Sequence, residues 1–256
     1  MTALPHLLTR TLTIRATRET VFRYFTDSLR WAAWWGAGST IDPTPGGRVY
    51  IRHPGNVEVS GEVMEVVAPE RIVFTYGFNS GQPIPPNGSH VTIELRAHGA
   101  DTRLTLTHAF TETKVRGEFV QGWRYQLSVF SNVVMNDIHA NAEAVVSAWF
   151  AAWNALDETA RKTHLETATT AGVQFRDRFS VIDGREELEQ QLVAVHRFMP
   201  GITIEARGPV RHCQGTALAD WVMLGPNGQA QGGGTNVFTL GADGRIESAV
   251  GVWTPA

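Results

Sequence analysis

Apolar residues recur at every third or fourth position along residues 117–156, which is the period of one apolar stripe on an α-helix. A cluster of Asn and Asp side chains at residues 132–141 interrupts this pattern, and Asp137 can cap a new helix there. We therefore expect one helix to close a first domain, residues 1–136, and another to open a second domain, residues 137–256. The alternative is a single long, kinked helix.

Before the long stripe, the chain alternates between apolar and polar residues in short runs, as β-strands do. Turn-forming Gly, Pro, Asn and Asp residues separate the runs. The predicted strands are Leu8–Arg15, Arg48–His53, Val57–Val67, Arg71–Phe78, Ser89–Ala97 and Thr102–Phe110. An antiparallel sheet wrapped around the long helix would bury the apolar face of each.

After the stripe, the pattern predicts helices over residues 157–167 and Glu187–Phe198, with a strand at Val173–Phe179 between them. Asp183 and Glu186 have the spacing of a capping box for the second helix. Four more strands are predicted at Ile202–Pro209, Thr216–Leu224, Gln231–Leu240 and Ile246–Trp253. Helices beside a strongly bent antiparallel sheet would enclose an apolar interior.

Composition narrows the class of protein. The chain is 43% hydrophobic and 18% charged, as expected of a globular protein, and its net charge of -3 gives no reason to expect nucleic acid as a partner. No apolar run is long enough for a membrane span, and the first ten residues do not resemble a signal peptide. The single cysteine, Cys213, fits a reducing compartment. We therefore expect a cytoplasmic protein, without cofactor or metal.

The segments DPTPGGRVYIRHP, SGEVMEVVAPERIVFTYGF and SHVTIELRAHGADTRLTLTHAF carry a family resemblance. Together with Gly122-Trp123, they resemble the AHSA-type branch of the START-like (SRPBCC) superfamily, named after activators of the heat-shock-protein-90 ATPase. The resemblance spans about residues 4–134. It implies an α+β helix-grip fold with an elongated apolar cavity between the sheet and the long helix. We expect Gly122 to let that helix approach the sheet closely.

Six residues of this first part are expected to line the ligand cavity: Trp35, Phe74, Tyr76, His108, Trp123 and Leu127. His108 shares the apolar face of its strand with Leu104, Leu106 and Phe110, where it would be a polar anchor for a ligand. The alternative is a core histidine bonded to a backbone carbonyl or a threonine.

The segments FRDRFSVIDGREELEQQL, RGPVRHCQG and NVFTLGADGRIESAVGVW carry a second resemblance, over about residues 140–253. They resemble the SnoaL-like, nuclear transport factor 2-like superfamily, and within it the ketosteroid-isomerase branch. That resemblance implies a cone-shaped α+β barrel. The superfamily includes isomerases, cyclases and many members without catalytic activity.

Strand alternation places Asp177 on the apolar face with Phe175 and Phe179. Apolar surroundings favour the protonated form of a carboxyl group, which suits a general base that acts on a carbon acid. Asn236 shares a face with Phe238 in the same way. The alternative for Asp177 is a capping or pairing role within the fold.

In the isomerase branch, the position that matches Asp177 is the catalytic base, and the position that matches Asn236 donates a hydrogen bond to the substrate oxyanion. The third catalytic position of that branch falls near Trp149, an indole where the family has a tyrosine. The resemblance thus implies Asp177, Asn236 and Trp149 as catalytic residues, with Phe175, Phe179 and Phe238 around the ligand.

Three functions follow as hypotheses. The first is binding of a small hydrophobic molecule in one or both cavities. The second is an isomerase or cyclase that works without a cofactor and uses Asp177 as its base. The third is an interaction protein similar to a chaperone cofactor. The sequence indicates neither nucleic acid nor membrane as a partner, and it leaves a homodimer open.

Overall fold

The computed structural model describes residues 3–254. The chain is of mixed α+β class and divides into two compact units, with the division between Val134 and Met135. One seven-stranded sheet and one six-stranded sheet are formed within the described residues. No helix among those residues is long and apolar enough to cross a membrane.

The first unit has a fully antiparallel sheet in which neighbours in sequence are mostly neighbours in space. Its strand order is β1-β7-β6-β5-β4-β3-β2. The elements are β1 (His6–Ile14), α1 (Arg18–Arg23), α2 (Ser28–Trp35), β2 (Thr40–Ile41), β3 (Arg48–His53), β4 (Val57–Val67), β5 (Arg71–Phe78), β6 (Ser89–His98), β7 (Asp101–Phe110) and α3 (Thr113–Ile138). All six strands predicted for this part are present.

Alternation of side chains sets which face of this sheet is buried. In β6 and β7 every second residue is buried, including Val91, Ile93, Leu104 and Leu106. The register pairs Ile93 with Leu106, so the apolar rows of the two strands coincide on one face. That face forms the core of the unit.

The structure contains the predicted interruption of the long helical stripe. Helix α3 ends at Ile138 and helix α4 begins at Ala142, which confirms two helices. The predicted cap is wrong, because Asp137 lies inside α3, and Asn141 precedes α4 without a capping hydrogen bond from its side chain.

The second unit has the strand order β10-β11-β12-β13-β8-β9. Its elements are α4 (Ala142–Asn154), α5 (Glu158–Ala168), β8 (Thr169–Arg176), β9 (Val181–Asp183), α6 (Arg185–Phe198), β10 (Thr203–Cys213), β11 (Thr216–Leu224), β12 (Ala230–Leu240) and β13 (Ile246–Trp253). Strands β13 and β8 pair in parallel, and the other pairs are antiparallel. Trp149, Leu165, Leu188 and Phe238 are fully buried in its core.

Two local predictions in this unit need correction. Strand β8 stops at Arg176, before the expected Phe179, because the Asp177 carboxylate accepts a hydrogen bond from the Phe179 N–H at 2.8 Å and turns the chain. Helix α6 is capped by Gly184, whose φ of 93° suits glycine. The carboxylate that reaches back to the Asp183 N–H, at 2.9 Å, belongs to Glu187 and not to Glu186.

Candidate functional site

The second unit contains a cavity of about 550 Å³, which we call the C-terminal cavity. Its wall is formed mainly by aromatic and aliphatic side chains from α4, α6 and the sheet: Trp153, Phe175, Phe179, Ala194, Val195, Phe198, Met199, Ile202, Ile204, Trp221, Met223 and Trp253. The polar residues around it are Asp177, Arg178, Ser180, Gln191, Gln231 and Asn236. An apolar cavity with a few polar groups is the usual form of a small-molecule site.

Asp177 lines this cavity, directly after the end of β8. Its Oδ1 accepts the bond from the Phe179 N–H, and its Oδ2 accepts one from the Trp253 indole N–H at 3.3 Å. Within residues 3–254 it forms no ion pair with Arg176 or Arg178. A carboxylate has about four acceptor positions, and these two hydrogen bonds use two of them. Asp177 therefore keeps acceptor positions for a molecule in the cavity.

Asn236 faces Asp177 across Gly251. Asn236 and Gly251 are register partners on β12 and β13, and both line the cavity. A methyl group added at Gly251 would lie 3.2 Å from Asp177 Cβ and 3.3 Å from Asn236 Oδ1. The absence of a side chain at Gly251 thus allows the side chains of Asp177 and Asn236 to approach this strand closely at the cavity wall. Asn236 is buried, and no described residue hydrogen-bonds its side-chain amide.

Trp149 does not join this pair. It is fully buried and packs edge-on against Phe238, with ring centroids 5.5 Å apart, and neither residue belongs to the cavity wall as the structure describes it. One helical turn later, Trp153 lines the cavity instead. The structure thus places Trp149 and Phe238 in the core, outside the described wall of the cavity.

The guanidinium of Arg178 stacks on aromatic rings beside the cavity. Its carbon lies 4.6 Å from the Phe179 ring centroid and 4.4 Å from that of Trp253. Phe179 is 69% exposed, so it stands at the rim, whereas Phe175 is buried in the wall. Trp253 also packs edge-on against Trp221 at 4.9 Å. These contacts fix the indole that donates to Asp177.

The first unit contains a second cavity of about 550 Å³, which we call the N-terminal cavity. Three of the six residues expected there line it: Trp35, Tyr76 and Trp123. The remaining wall consists of Ala33, Trp34, Gly36, His53, Pro54, Phe78, Pro83, Glu118, Phe119, Gly122, Tyr125, Gln126 and Val129. Pro83 belongs to the loop between β5 and β6, which therefore reaches the cavity.

His108 lies beneath this cavity and is completely buried. Its Nδ1 accepts a hydrogen bond from the Trp123 indole N–H at 2.9 Å, so its proton is on Nε2, which lies 2.8 Å from Ser89 Oγ. The Ser89 hydroxyl in turn donates to the Tyr76 carbonyl at 2.7 Å. Burial lowers the pKa of His108 to about 3, with a smaller contribution from His90. His108 is thus a neutral core histidine that orients Trp123.

Phe74, His108 and Leu127 are buried but do not line the N-terminal cavity within the described residues. Phe74 packs edge-on against Trp31 in the core, 5.6 Å away. The expectation for Gly122 is also wrong, because a Cβ added there would have no atom within 4 Å. Gly122 widens the cavity and makes no close contact with the sheet.

Several residues of the cavity walls were not expected from the sequence, although their spacing along helices and strands indicates them. Trp153 stands four residues after Trp149 on the same stripe, and Glu118 and Gly122 stand four apart on α3. Gly251 lies on the same face of β13 as the buried Ala249 and as Trp253. A glycine inside a strand indicates close approach or open space.

Part of the chain matches the model of a known protein family. Residues 15–135, just under half of the chain, match the family model of Activator of Hsp90 ATPase homolog 1-like proteins. A search of curated proteins gave no match.

Several solved structures are similar to about half of the chain. One is a SnoaL-like family protein from Agrobacterium tumefaciens, 23% identical, with 46% of this chain and 99% of that protein covered at a TM-score of 0.43. Another is CalU16 from Micromonospora echinospora, 23% identical over 56% of this chain and 85% of that protein, with a TM-score of 0.42. A third is the Aha1 dimer from Colwellia psychrerythraea, 16% identical over 48% and 90%, with a TM-score of 0.42.

Proposed function

We propose that the protein binds small apolar molecules in its two cavities. The observation that carries this proposal is the pair of cavities, each of about 550 Å³ and walled mainly by aromatic and aliphatic side chains. That volume is within the range of about 300–1,000 Å³ typical of small-ligand sites. Burial of an apolar ligand there would be favourable by about 25 cal/mol per Å² of apolar surface removed from water.

The same proposal includes the finer architecture. The first unit is a helix-grip domain in which α3 closes the cavity against the sheet, and the match of residues 15–135 to a family model supports this. The second unit is a cone-shaped barrel, supported by a six-stranded sheet whose inward residues line one cavity. A cytoplasmic location is supported by the single, exposed cysteine. The proposal also includes a homodimer, and sedimentation equilibrium would measure the mass of the protein in solution.

Binding is tested with the neutral fluorescent probe N-phenyl-1-naphthylamine and variants that fill each cavity. Gly122→Phe fills the N-terminal cavity, because its added side chain starts in open space. Ala194→Phe fills the C-terminal cavity from α6. Each single variant should lose probe binding in the cavity that it fills, and the double variant should bind no probe.

Two matched substitutions control this experiment. Gly117→Phe makes the same change on α3, at a glycine that also has open space but lies outside the cavity wall. Val193→Phe makes the change on the exposed side of α6. Both should bind the probe like the wild type. Probe binding that persists in the double filling variant would show that the cavities are not the binding sites.

We propose a second function for the C-terminal cavity, acid–base chemistry on a ketone-bearing apolar molecule. The specific observation is that Asp177 and Asn236 line the same cavity and both lie beside Gly251. In this mechanism Asp177 takes a proton from the carbon beside the carbonyl group. The Asn236 amide N–H donates to the oxygen that becomes negative.

This chemistry is tested by hydrogen–deuterium exchange at the α-carbon of 2-tetralone, followed by NMR in D₂O. The wild type should accelerate the exchange, and Asp177→Asn should reduce the protein-dependent rate by about 10²–10⁴-fold, the usual contribution of a positioned base. Affinity for 2-tetralone should change much less. Ala194→Phe should also stop the exchange, and Val193→Phe should not. An Asp177→Asn variant that exchanges at the wild-type rate would eliminate this second function and leave simple binding.

A further inference from the structure

The walls of the N-terminal cavity are unusually rich in aromatic rings. Seven line it: Trp34, Trp35, Tyr76, Phe78, Phe119, Trp123 and Tyr125. Several of them pack against one another, with ring centroids 4.3 Å apart for Trp34 and Trp35 and 5.7 Å apart for Trp35 and Trp123. Tyr76 and Phe119 meet edge-on at 5.9 Å on another part of the wall. A ligand in this space would therefore contact several aromatic rings.

The charge of the wall has one sign. Glu118 is the carboxylate of the cavity, and the described lining residues include no Lys or Arg. His53, which packs edge-on against Trp35 at 5.5 Å, adds no positive charge at neutral pH, because burial lowers the pKa of its imidazole below the ordinary 6.5. The C-terminal cavity differs, since Arg178 lies beside it.

Helix α3 supplies the polar part of the wall in a regular order. Glu118 and Gly122 lie four residues apart, so they share one face of the helix, and both are exposed at the rim. Gln126, four residues further, donates its amide N–H to the Trp34 carbonyl. The Gln126 amide keeps its oxygen as an acceptor and its second N–H as a donor. The Trp35 indole N–H is a donor without a described partner, but it is enclosed by protein atoms.

We infer that the N-terminal cavity selects organic cations, that is, a quaternary or protonated amine on an apolar skeleton. The inference rests on the proposed function, because it assumes that this cavity binds a ligand. The electron-rich faces of Trp, Tyr and Phe attract a cation within about 6 Å of the ring centre. A carboxylate at the rim favours the same charge and disfavours an anion. The apolar part of the ligand would take the remaining space.

The test compares three probes of similar size that differ in charge: benzyltrimethylammonium, its uncharged isostere neopentylbenzene, and the anion 3-phenylpropanoate. Each is measured by displacement of N-phenyl-1-naphthylamine from the full-length Ala194→Phe variant, so that only the N-terminal cavity is open. Benzyltrimethylammonium should bind about tenfold more tightly than neopentylbenzene, the scale of a partly desolvated cation–π contact. The anion should bind more weakly than either.

Substitutions then locate the source of the preference. Glu118→Gln should weaken binding of the cation about two- to fivefold at low salt, the scale of an exposed charge pair, and should leave neopentylbenzene unchanged. Glu112→Gln removes an exposed carboxylate outside the cavity wall and should change neither. Gly122→Phe should abolish binding of all probes, whereas Gly117→Phe should not.

The outcomes separate this inference from the proposed function. If neopentylbenzene binds as tightly as the cation or more tightly, the inference is overturned and ligand binding stands. If no probe binds although the protein is folded, ligand binding by this cavity itself fails. A cation preference that survives Gly122→Phe arises elsewhere and also overturns the inference. An unchanged cation-to-neutral ratio in Glu118→Gln would overturn the role of Glu118.

Discussion

His108 shows how one polar side chain is accommodated on an apolar strand face. Alternation along β7 correctly placed it inward, but strand periodicity does not reveal what a side chain meets there. The partners, Ser89 on β6 and Trp123 on α3, come from separate parts of the chain. Both ring nitrogens are satisfied, and this removes the cost of burying a polar group without a partner.

Burial of this imidazole predicts a pH dependence of stability. The folded-state pKa of His108 is about 3, below the ordinary 6.5, so the unfolded chain takes up a proton in the window between these values and the folded protein does not. Its contribution is therefore complete above pH 6.5 and is lost as the pH falls. Between pH 7 and pH 5 the free energy of unfolding should decrease by about 2 kcal/mol from this group alone.

The measurement is urea unfolding at pH 5, 6 and 7 for the wild type and His108→Gln. Glutamine can still accept and donate but does not titrate, so the variant should show a smaller decrease in stability with falling pH. His98→Gln is the control, because His98 is exposed and the same chemical change occurs at the surface. Equal pH slopes for the wild type and His108→Gln would contradict the prediction.

Asp177 and Trp149 show what can be predicted for single site residues. Asp177 was found from alternation, and it does line the cavity, but the turn that its own carboxylate makes with the Phe179 N–H could not be read from the strand pattern. For Trp149, the family resemblance implies a catalytic role. The helix rotates it into the core against Phe238, and the orientation of a side chain around a helix is set by the packing of the whole unit.

At the scale of elements, the helices and strands followed well from hydrophobic period, because each buries one continuous apolar face. Helix α3 illustrates the limit. Its stripe predicted that Trp123 and Leu127 both close the cavity, yet only Trp123 lines it, while Leu127 is buried elsewhere in the core. An apolar stripe is wider than a cavity, so the period identifies the buried face and not the members of that face that meet a ligand.

Glycines within elements are the second limit. Gly122 in α3 was expected at a close contact, and the structure has open space there. Gly251 in β13 is the opposite case, because a Cβ added there would lie 3.2 Å from Asp177 Cβ and 3.3 Å from Asn236 Oδ1. A missing side chain allows either close approach or an empty volume, and only the surrounding elements decide which.

At the scale of the whole molecule, the two-part organisation predicts independent folding. The chain divides into its two compact units between Val134 and Met135, and the boundary expected from the Asn-rich interruption lies between residues 136 and 137. Fragments 1–134 and 135–256 are each of ordinary domain size and each contain a core and a sheet. Each fragment should therefore unfold cooperatively, with the secondary structure content that it has in the intact chain.

Circular dichroism and thermal unfolding of the two purified fragments provide the measurement. A fragment pair cut within β12, inside one sheet, is the control and should fail to fold. If both fragments 1–134 and 135–256 are unfolded, the units depend on one another and the two-module proposal is wrong.

The distribution of the eight tryptophans has a consequence for spectroscopy. Four belong to the first unit, namely Trp31, Trp34, Trp35 and Trp123, and four to the second, namely Trp149, Trp153, Trp221 and Trp253. Neighbouring indoles in each unit lie close enough for their excited states to couple, and the shortest centroid distances among the described residues are 4.3 Å for Trp34 and Trp35 and 4.9 Å for Trp221 and Trp253. Because these pairs line the cavities, we expect the near-ultraviolet circular dichroism of the unlabelled protein to change if a ligand enters either one.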